Sequence, residues 1–154
     1  MKRRSFLQGS LAASAVVVAA GAGILKPSKV FAAAWPEAAL GADAADAAMN
    51  AAFGTTDAAD SADVVIKAPI QAENGAVVPV KVTSKVPAET IAVMVEKNPS
   101  PMVAILNAGD GAGGVFSLRI RMGETSPVHC IVKSGGKVIK ATQEIKVTVG
   151  GCGG

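Results

Sequence analysis

The sequence predicts an all-β fold: an immunoglobulin-like antiparallel β-sandwich with a short N-terminal helix and a flexible C-terminal arm. Three observations carry this prediction. From Asp63 onward valine and isoleucine dominate in short runs separated by turn residues. Several of these runs alternate apolar and polar side chains with a period of two, as sheets with one wet face do. The chain then closes on Gly150-Gly151-Cys152-Gly153-Gly154, a segment with nothing to bury.

Residues 1–34 read as an export signal. Lys2-Arg3-Arg4 forms the charged region, Leu11 to Leu25 the apolar region, and Ala32-Ala33-Ala34 offers small residues for cleavage. The apolar run is shorter than the roughly 20 residues of a membrane span, and Gly21 and Gly23 loosen it further. Arg3-Arg4 followed by Ser5-Phe6-Leu7 resembles the twin-arginine signal, which exports folded proteins. The expected location of the mature protein is a periplasm, where disulfides are permitted and no membrane contact remains after signal removal.

Residues 35–62 are expected to form a helix and a linker. Pro36 to Ala52 is alanine-rich with no β-branched residue. Pro36 suits a first turn, Glu37 the positive end, and Gly54 the stop. Leu40, Met49 and Phe53 form only a sparse apolar set, which predicts a helix at the domain's edge and outside its core. Residues 63–149 are the predicted sandwich, with strands at 63–68, 76–84, 90–97, 103–107, 115–122, 127–133 and 137–149. In 115–122, Phe116, Leu118, Ile120 and Met122 point one way and Ser117, Arg119 and Arg121 the other. In the last strand Ile145, Val147 and Val149 should face in. Gly135-Gly136 suits a tight hairpin that needs positive φ, and Glu73-Asn74-Gly75 and Asn98-Pro99-Ser100-Pro101 mark further turns. Seven short strands in about ninety residues suggest the immunoglobulin type of sandwich. Gly109 to Gly114 reads as a loop without the strand–helix context of a phosphate site.

Charge excludes a nucleic-acid partner despite a pI near 9.0. Lys2, Arg3, Arg4, Lys26 and Lys29 all lie in the leader, which has no acid. The remainder keeps ten basic residues against 12 acidic ones, a net charge of −2. Trp35 and four phenylalanines are the only aromatics, too few to stack bases.

The tail carries the chemistry. Glycine adds no width and takes almost any backbone angle, so Gly150, Gly151, Gly153 and Gly154 make a narrow arm presenting the Cys152 sulfur. Three residues past Val149, the Cys152 Cα reaches about 10 Å beyond the sheet. That suffices to thread a channel on another protein. Nothing in the tail lowers the thiol pKa, and the terminal carboxylate would raise it, so activation is expected from a partner. Composition leaves other readings open: a disordered end, an intermolecular disulfide or a labelling tag.

Beyond the tail, further segments resemble the SoxY family, the sulfur carriers of the periplasmic Sox thiosulfate-oxidising system. They are Ala68-Pro69, Ala72-Glu73-Asn74-Gly75-Ala76-Val77-Val78-Pro79-Val80 and Val95-Glu96-Lys97-Asn98-Pro99. Arg119-Ile120-Arg121-Met122-Gly123-Glu124-Thr125-Ser126 and Lys146-Val147-Thr148-Val149 are likewise similar to the family. The resemblance implies a non-catalytic protein with no cofactor, on which Cys152 is the covalent attachment site and the four glycines the swinging arm. It implies loading of thiosulfate by the haem enzyme SoxAX, sulfate release by the manganese hydrolase SoxB, and, in some systems, oxidation by SoxCD. It also implies a heterodimer or higher oligomer with SoxZ, carried across as a passenger. Two departures stand out: Ile70-Gln71, expected to affect only a loop, and His129-Cys130, where the family is expected to hold small or aliphatic residues.

Cys130 shares a face with Val128 and Val132 and is expected to be a small core residue, not a disulfide partner of Cys152. His129 and Cys130 are adjacent and point oppositely, a poor metal pair, and no zinc spacing occurs. His129 is expected to be solvated. Asp43, Asp46, Asp57, Asp60 and Asp63 lack calcium-loop spacing and read as a solvated face and linker. Two other classes compete with the carrier: a structural module crosslinked through its tail cysteine, and a small thiol enzyme, for which the tail provides no base.

Overall fold

The computed structural model describes residues 35–108 and 114–148. The expected export signal, most of the Gly109–Gly114 loop, Val149 and the whole arm lie outside the described residues. Among the described residues two short helices precede the strands: α1, Glu37–Leu40, and α2, Ala45–Phe53. The nine strands of the described residues are β1 (Ala59–Asp60), β2 (Val64–Lys67), β3 (Gln71–Ala72), β4 (Val78–Ser84), β5 (Thr90–Val95), β6 (Met102–Asn107), β7 (Val115–Ile120), β8 (Ser126–Ser134) and β9 (Lys137–Val147).

The strands form two sheets. The larger runs β1-β9-β8-β5-β6, with β3 also paired to β9, and the smaller runs β2-β4-β7. All seven predicted strands are present, and the ladders joining them are antiparallel. The structure adds β1 and β3, each two residues long and paired parallel to β9 in succession along one edge. β1 falls within the stretch read as helix and linker, and β3 takes in Gln71, so the Ile70-Gln71 departure touches a strand and not merely a loop. Two residues are too few to display an alternation, so neither strand announces itself in sequence.

The sheets enclose the main core. Val78, Val80 and Val82 of β4 meet Ile91, Val93 and Val95 of β5 and Val128, Cys130 and Val132 of β8. The predicted alternation of residues 115–122 holds: Ile120 and Met122 are buried, Phe116 and Leu118 pack against the core, and Ser117, Arg119 and Arg121 are exposed. Ile145 is buried and Val147 packs on the core, while Val149 lies outside the described residues. Gly135 and Gly136 turn the β8–β9 hairpin at φ 55° and 76°, the left-handed region that favours glycine.

The helical region departs from expectation in two ways. The predicted continuous helix is broken at Gly41, which caps α1, and Ala44 is extended at the start of α2. Glycine inside a helix costs about 1 kcal/mol relative to alanine, enough to favour a break where packing also gains. Nor does the helix stand outside the core. Ala48 and Met49 of α2 are buried against Ala92, Met94, Met102 and Ile131, a second apolar cluster on the outer face of the larger sheet. Alanine's small side chain lets the helix settle closely on the strands, so a sparse set of large apolar residues understates its burial. The second cluster also explains β5, an unbroken apolar run: Ile91, Val93 and Val95 face the sandwich interior, and Ala92 and Met94 face the helix. Gly54 ends α2 at φ 74°, the stop its position predicts.

Candidate functional site

Cys152 and the flanking Gly150, Gly151, Gly153 and Gly154 lie outside the described residues, so the site is built from its base. The last strand delivers the chain to that base, and several bonds fix it there. Lys146 N donates to Ile70 O at 2.9 Å, and Thr148 N donates to Ala72 O at 3.1 Å. The Thr148 hydroxyl donates to the same oxygen at 3.2 Å. On another side Val147 N donates to the Thr125 hydroxyl at 3.0 Å. The chain is therefore tethered from two directions up to Thr148.

The loops around this end are themselves tied together. The Asn98 side-chain amide donates to Arg121 O at 2.7 Å, and its Oδ1 accepts from Gly123 N at 3.2 Å. Lys97 N donates to the Ser126 hydroxyl at 3.1 Å. Gly75 packs where an added Cβ would run into the Met122 carbonyl oxygen and sit 2.8 Å from Val147 Cγ1. Met122 N donates to Gly75 O at 2.7 Å, closing the contact. Glycine at 75 is thus a packing requirement directly beneath the strand that leads to the arm. From Thr148, the four residues to Cys152 span at most about 14 Å.

Cys130 stands apart from this end of the chain's chemistry. It is fully buried, opposite Val93 on one side and Ala141 on the other. Burial pushes its thiol up to about 12 from 9.0, because an apolar interior disfavours the thiolate. A thiol so protonated and enclosed is neither nucleophile nor ligand. The core assignment made from its alternation therefore holds.

His129 is not the solvated residue its position suggests. Its side chain is only 15 % exposed, with Nδ1 2.9 Å from the Thr142 hydroxyl and Nε2 3.3 Å from Glu96 Oε2. The histidine joins β8 to its neighbour β9 and to the end of β5, in a cleft under α2 that Asp46 and Lys140 also line. Sequence could not show this, because Glu96 and Thr142 lie 33 and 13 residues away. Among the described residues no group of three or more His, Cys, Asp or Glu side chains could hold a metal ion, and no helix is long and apolar enough to cross a membrane. Asp43, Asp46, Asp57, Asp60 and Asp63 are all exposed.

Comparison with known proteins gives one consistent result. The family model for sulfur oxidation protein SoxY matches residues 49–152, a span that reaches the tail cysteine. The solved structure of the sulfur carrier protein SoxY from Chlorobium limicola f thiosulfatophilum is 41% identical, with a TM-score of 0.61. That match covers 68% of this chain and 96% of the Chlorobium chain. A superoxide reductase (neelaredoxin) from Ignicoccus hospitalis is similar at 18% identity and a TM-score of 0.49, over 66% of this chain and 86% of its own, too remote to bear on function. No curated protein matches the sequence.

Proposed function

The chain belongs to the SoxY family of sulfur oxidation proteins, and from that premise we propose that it is a periplasmic carrier holding thiosulfate-derived sulfur covalently on Cys152. One observation supports this most. The final strand is tethered through Thr148 and leads into a glycine-flanked cysteine, while the chain's other thiol is sealed in the core. A fixed base with a slim extension suits delivery of one sulfur to active sites elsewhere.

The chemistry follows from that sulfur. The Cys152 thiolate and thiosulfate join through a new S–S bond as two electrons leave to the haem enzyme SoxAX, giving a cysteine S-thiosulfonate. Water then cleaves the bond between the outer sulfur and the sulfonate sulfur, assisted by SoxB. Sulfate and two protons depart, and a persulfide stays on Cys152. SoxCD, where present, oxidises the remaining sulfane sulfur. The chain contributes one reacting atom, the Cys152 sulfur, and the partner enzymes drive each step: it holds the intermediate between them, in a heterodimer or higher oligomer with SoxZ. Gly150, Gly151, Gly153 and Gly154 keep the arm narrow enough to enter each active site. Export by the twin-arginine route would bring the folded pair to the periplasm together.

The test is a reconstituted thiosulfate-oxidising system with the Cys152→Ser variant. Sulfate production should vanish with the fold intact, and mass analysis of the wild-type tail peptide should show reductant-labile sulfane and thiosulfonate adducts. Retained turnover in the variant would overturn the proposal. A tail that only crosslinks chains would instead yield dimer mass without adducts.

A further inference from the structure

The outer face of the β2-β4-β7 sheet has a composition unlike the rest of the domain. Lys67, Lys81 and Arg119 project from three adjacent strands, all exposed. They border an open trough of about 570 Å³, with Pro69, Pro79 and Ser117 completing its rim. Ala68, Val80 and Leu118 also line it, and their side chains pack in or against the core. No acidic side chain lines the trough, and among the described residues none of the three cations forms a salt bridge. The register sharpens the point. Lys67 and Lys81 are direct partners across the β2–β4 ladder, and Lys81 is in turn opposite Ser117. Like charges directly opposite on one face oppose sheet formation, so the fold gains nothing from this arrangement.

Nothing in the described structure covers this face. The apolar cluster that seats α2 contains no residue of β2, β4 or β7. Val65 and Val115, 42% and 53% exposed, lie on either side of Thr83 and extend the face with apolar surface. A one-signed face on a chain whose non-leader part is net negative is a local feature, not a reflection of overall charge.

We propose that this trough is the docking surface for an acidic patch on the haem enzyme that loads the carrier. The proposal rests on the carrier reading above and adds to it the means of enzyme encounter. A substrate-bearing protein visited by several enzymes needs contacts that form fast and release fast. Complementary charge over a modest area accelerates encounter without long residence. The trough's size admits several side chains, more than one small anion would use.

The experiment measures kcat/KM for thiosulfate loading of the full mature chain, in complex with its partner subunit, by the haem loading enzyme across a range of ionic strength. Wild type should slow steeply with added salt. The variant Lys67→Glu/Lys81→Glu/Arg119→Glu should load about tenfold more slowly at low salt, with the salt dependence flattened and the two proteins converging at high salt. The neutral Gln triple variant should fall between them, and Lys67→Arg/Lys81→Arg should retain the wild-type rate. Equal rates and equal salt slopes in wild type and the Glu variant would overturn the docking proposal. Binding of phosphatidylglycerol vesicles, lost in the Glu variant while loading is unchanged, would overturn it in favour of a lipid surface. Wild type that acquires no sulfur at all is a separate result, which sinks the carrier reading beneath it.

Discussion

Cys130 and, on the proposed carrier reading, Cys152 show how position divides one chemistry into two roles. Cys130 fills a slot between Val93 and Ala141 and behaves as a small apolar side chain. Its thiol, raised to about 12 from 9.0 by burial, stays protonated in the folded protein at pH values where the unfolded chain ionises. Above pH 9.0 the unfolded state therefore binds fewer protons than the native one, and stability falls as pH rises. Its contribution is fully present below 9.0 and is lost progressively toward about 12, by up to about 1.4 kcal/mol per pH unit. Urea unfolding at pH 8 and pH 10.5 should show this loss in wild type and a shallower one in Cys130→Ala, whatever the variant's lower baseline. A maleimide reagent applied to the native protein should label Cys152 alone, and labelling of Cys130 without unfolding would contradict its burial. The sequence showed the residue's role through its neighbours Val128 and Val132. It could not show His129's role, because hydrogen bonds to Glu96 and Thr142 depend on three strands meeting.

At the scale of elements, what was legible was what repeats locally. The alternation in β7 and the Gly135-Gly136 hairpin each have a short-range cause, a face buried or a positive φ required, and both appear as expected. What was not legible came from contacts between distant segments. Gln71-Ala72 becomes a strand only because β9 lies beside it, and α2 becomes part of the core only because β5, β6 and β8 offer it an apolar face. The same holds for Gly75. In sequence it ends a turn signal, Glu73-Asn74-Gly75, whereas in the structure it is the point where two segments nearly touch. A methyl group there meets the Met122 carbonyl oxygen and Val147 Cγ1, and backbone on one side limits how far the site can give. Gly75→Ala should lower stability by about 1–3 kcal/mol. Gly123→Ala, where an added Cβ meets nothing within 4 Å, should change it little. Equal urea midpoints for the two variants would show that the close approach at Gly75 is not a constraint.

At the scale of the whole molecule, the last described residues, Lys146, Val147 and Thr148, are bonded to the rest of the domain, and the proposed carrier cysteine follows them in sequence. Lys146 and Thr148 are bonded to Ile70 and Ala72, Val147 to Thr125, and Cys152 lies four residues past Thr148 in sequence. On the proposed carrier reading, this order along the chain separates the reacting sulfur from the bonds that hold the fold. It also makes a sharp prediction for two truncations. Removal of residues 149–154 should leave the urea midpoint and m-value unchanged while abolishing sulfur loading. Removal of three further residues, Lys146, Val147 and Thr148, takes away the backbone bonds to Ile70, Thr125 and Ala72 and the packing of Val147 on the core. At about 1 kcal/mol net for each bond, with the apolar area added, the longer truncation should destabilise the domain by about 3 kcal/mol or more. The same cut leaves β3 without its partner residues in β9, since Gln71 and Ala72 pair with Lys146 and Val147. Hydrogen exchange should therefore quicken along residues 70–76 in the longer truncation and not in the shorter one. If the shorter truncation already loosened that segment, the arm would be part of the folded domain and could not serve as a freely presented carrier.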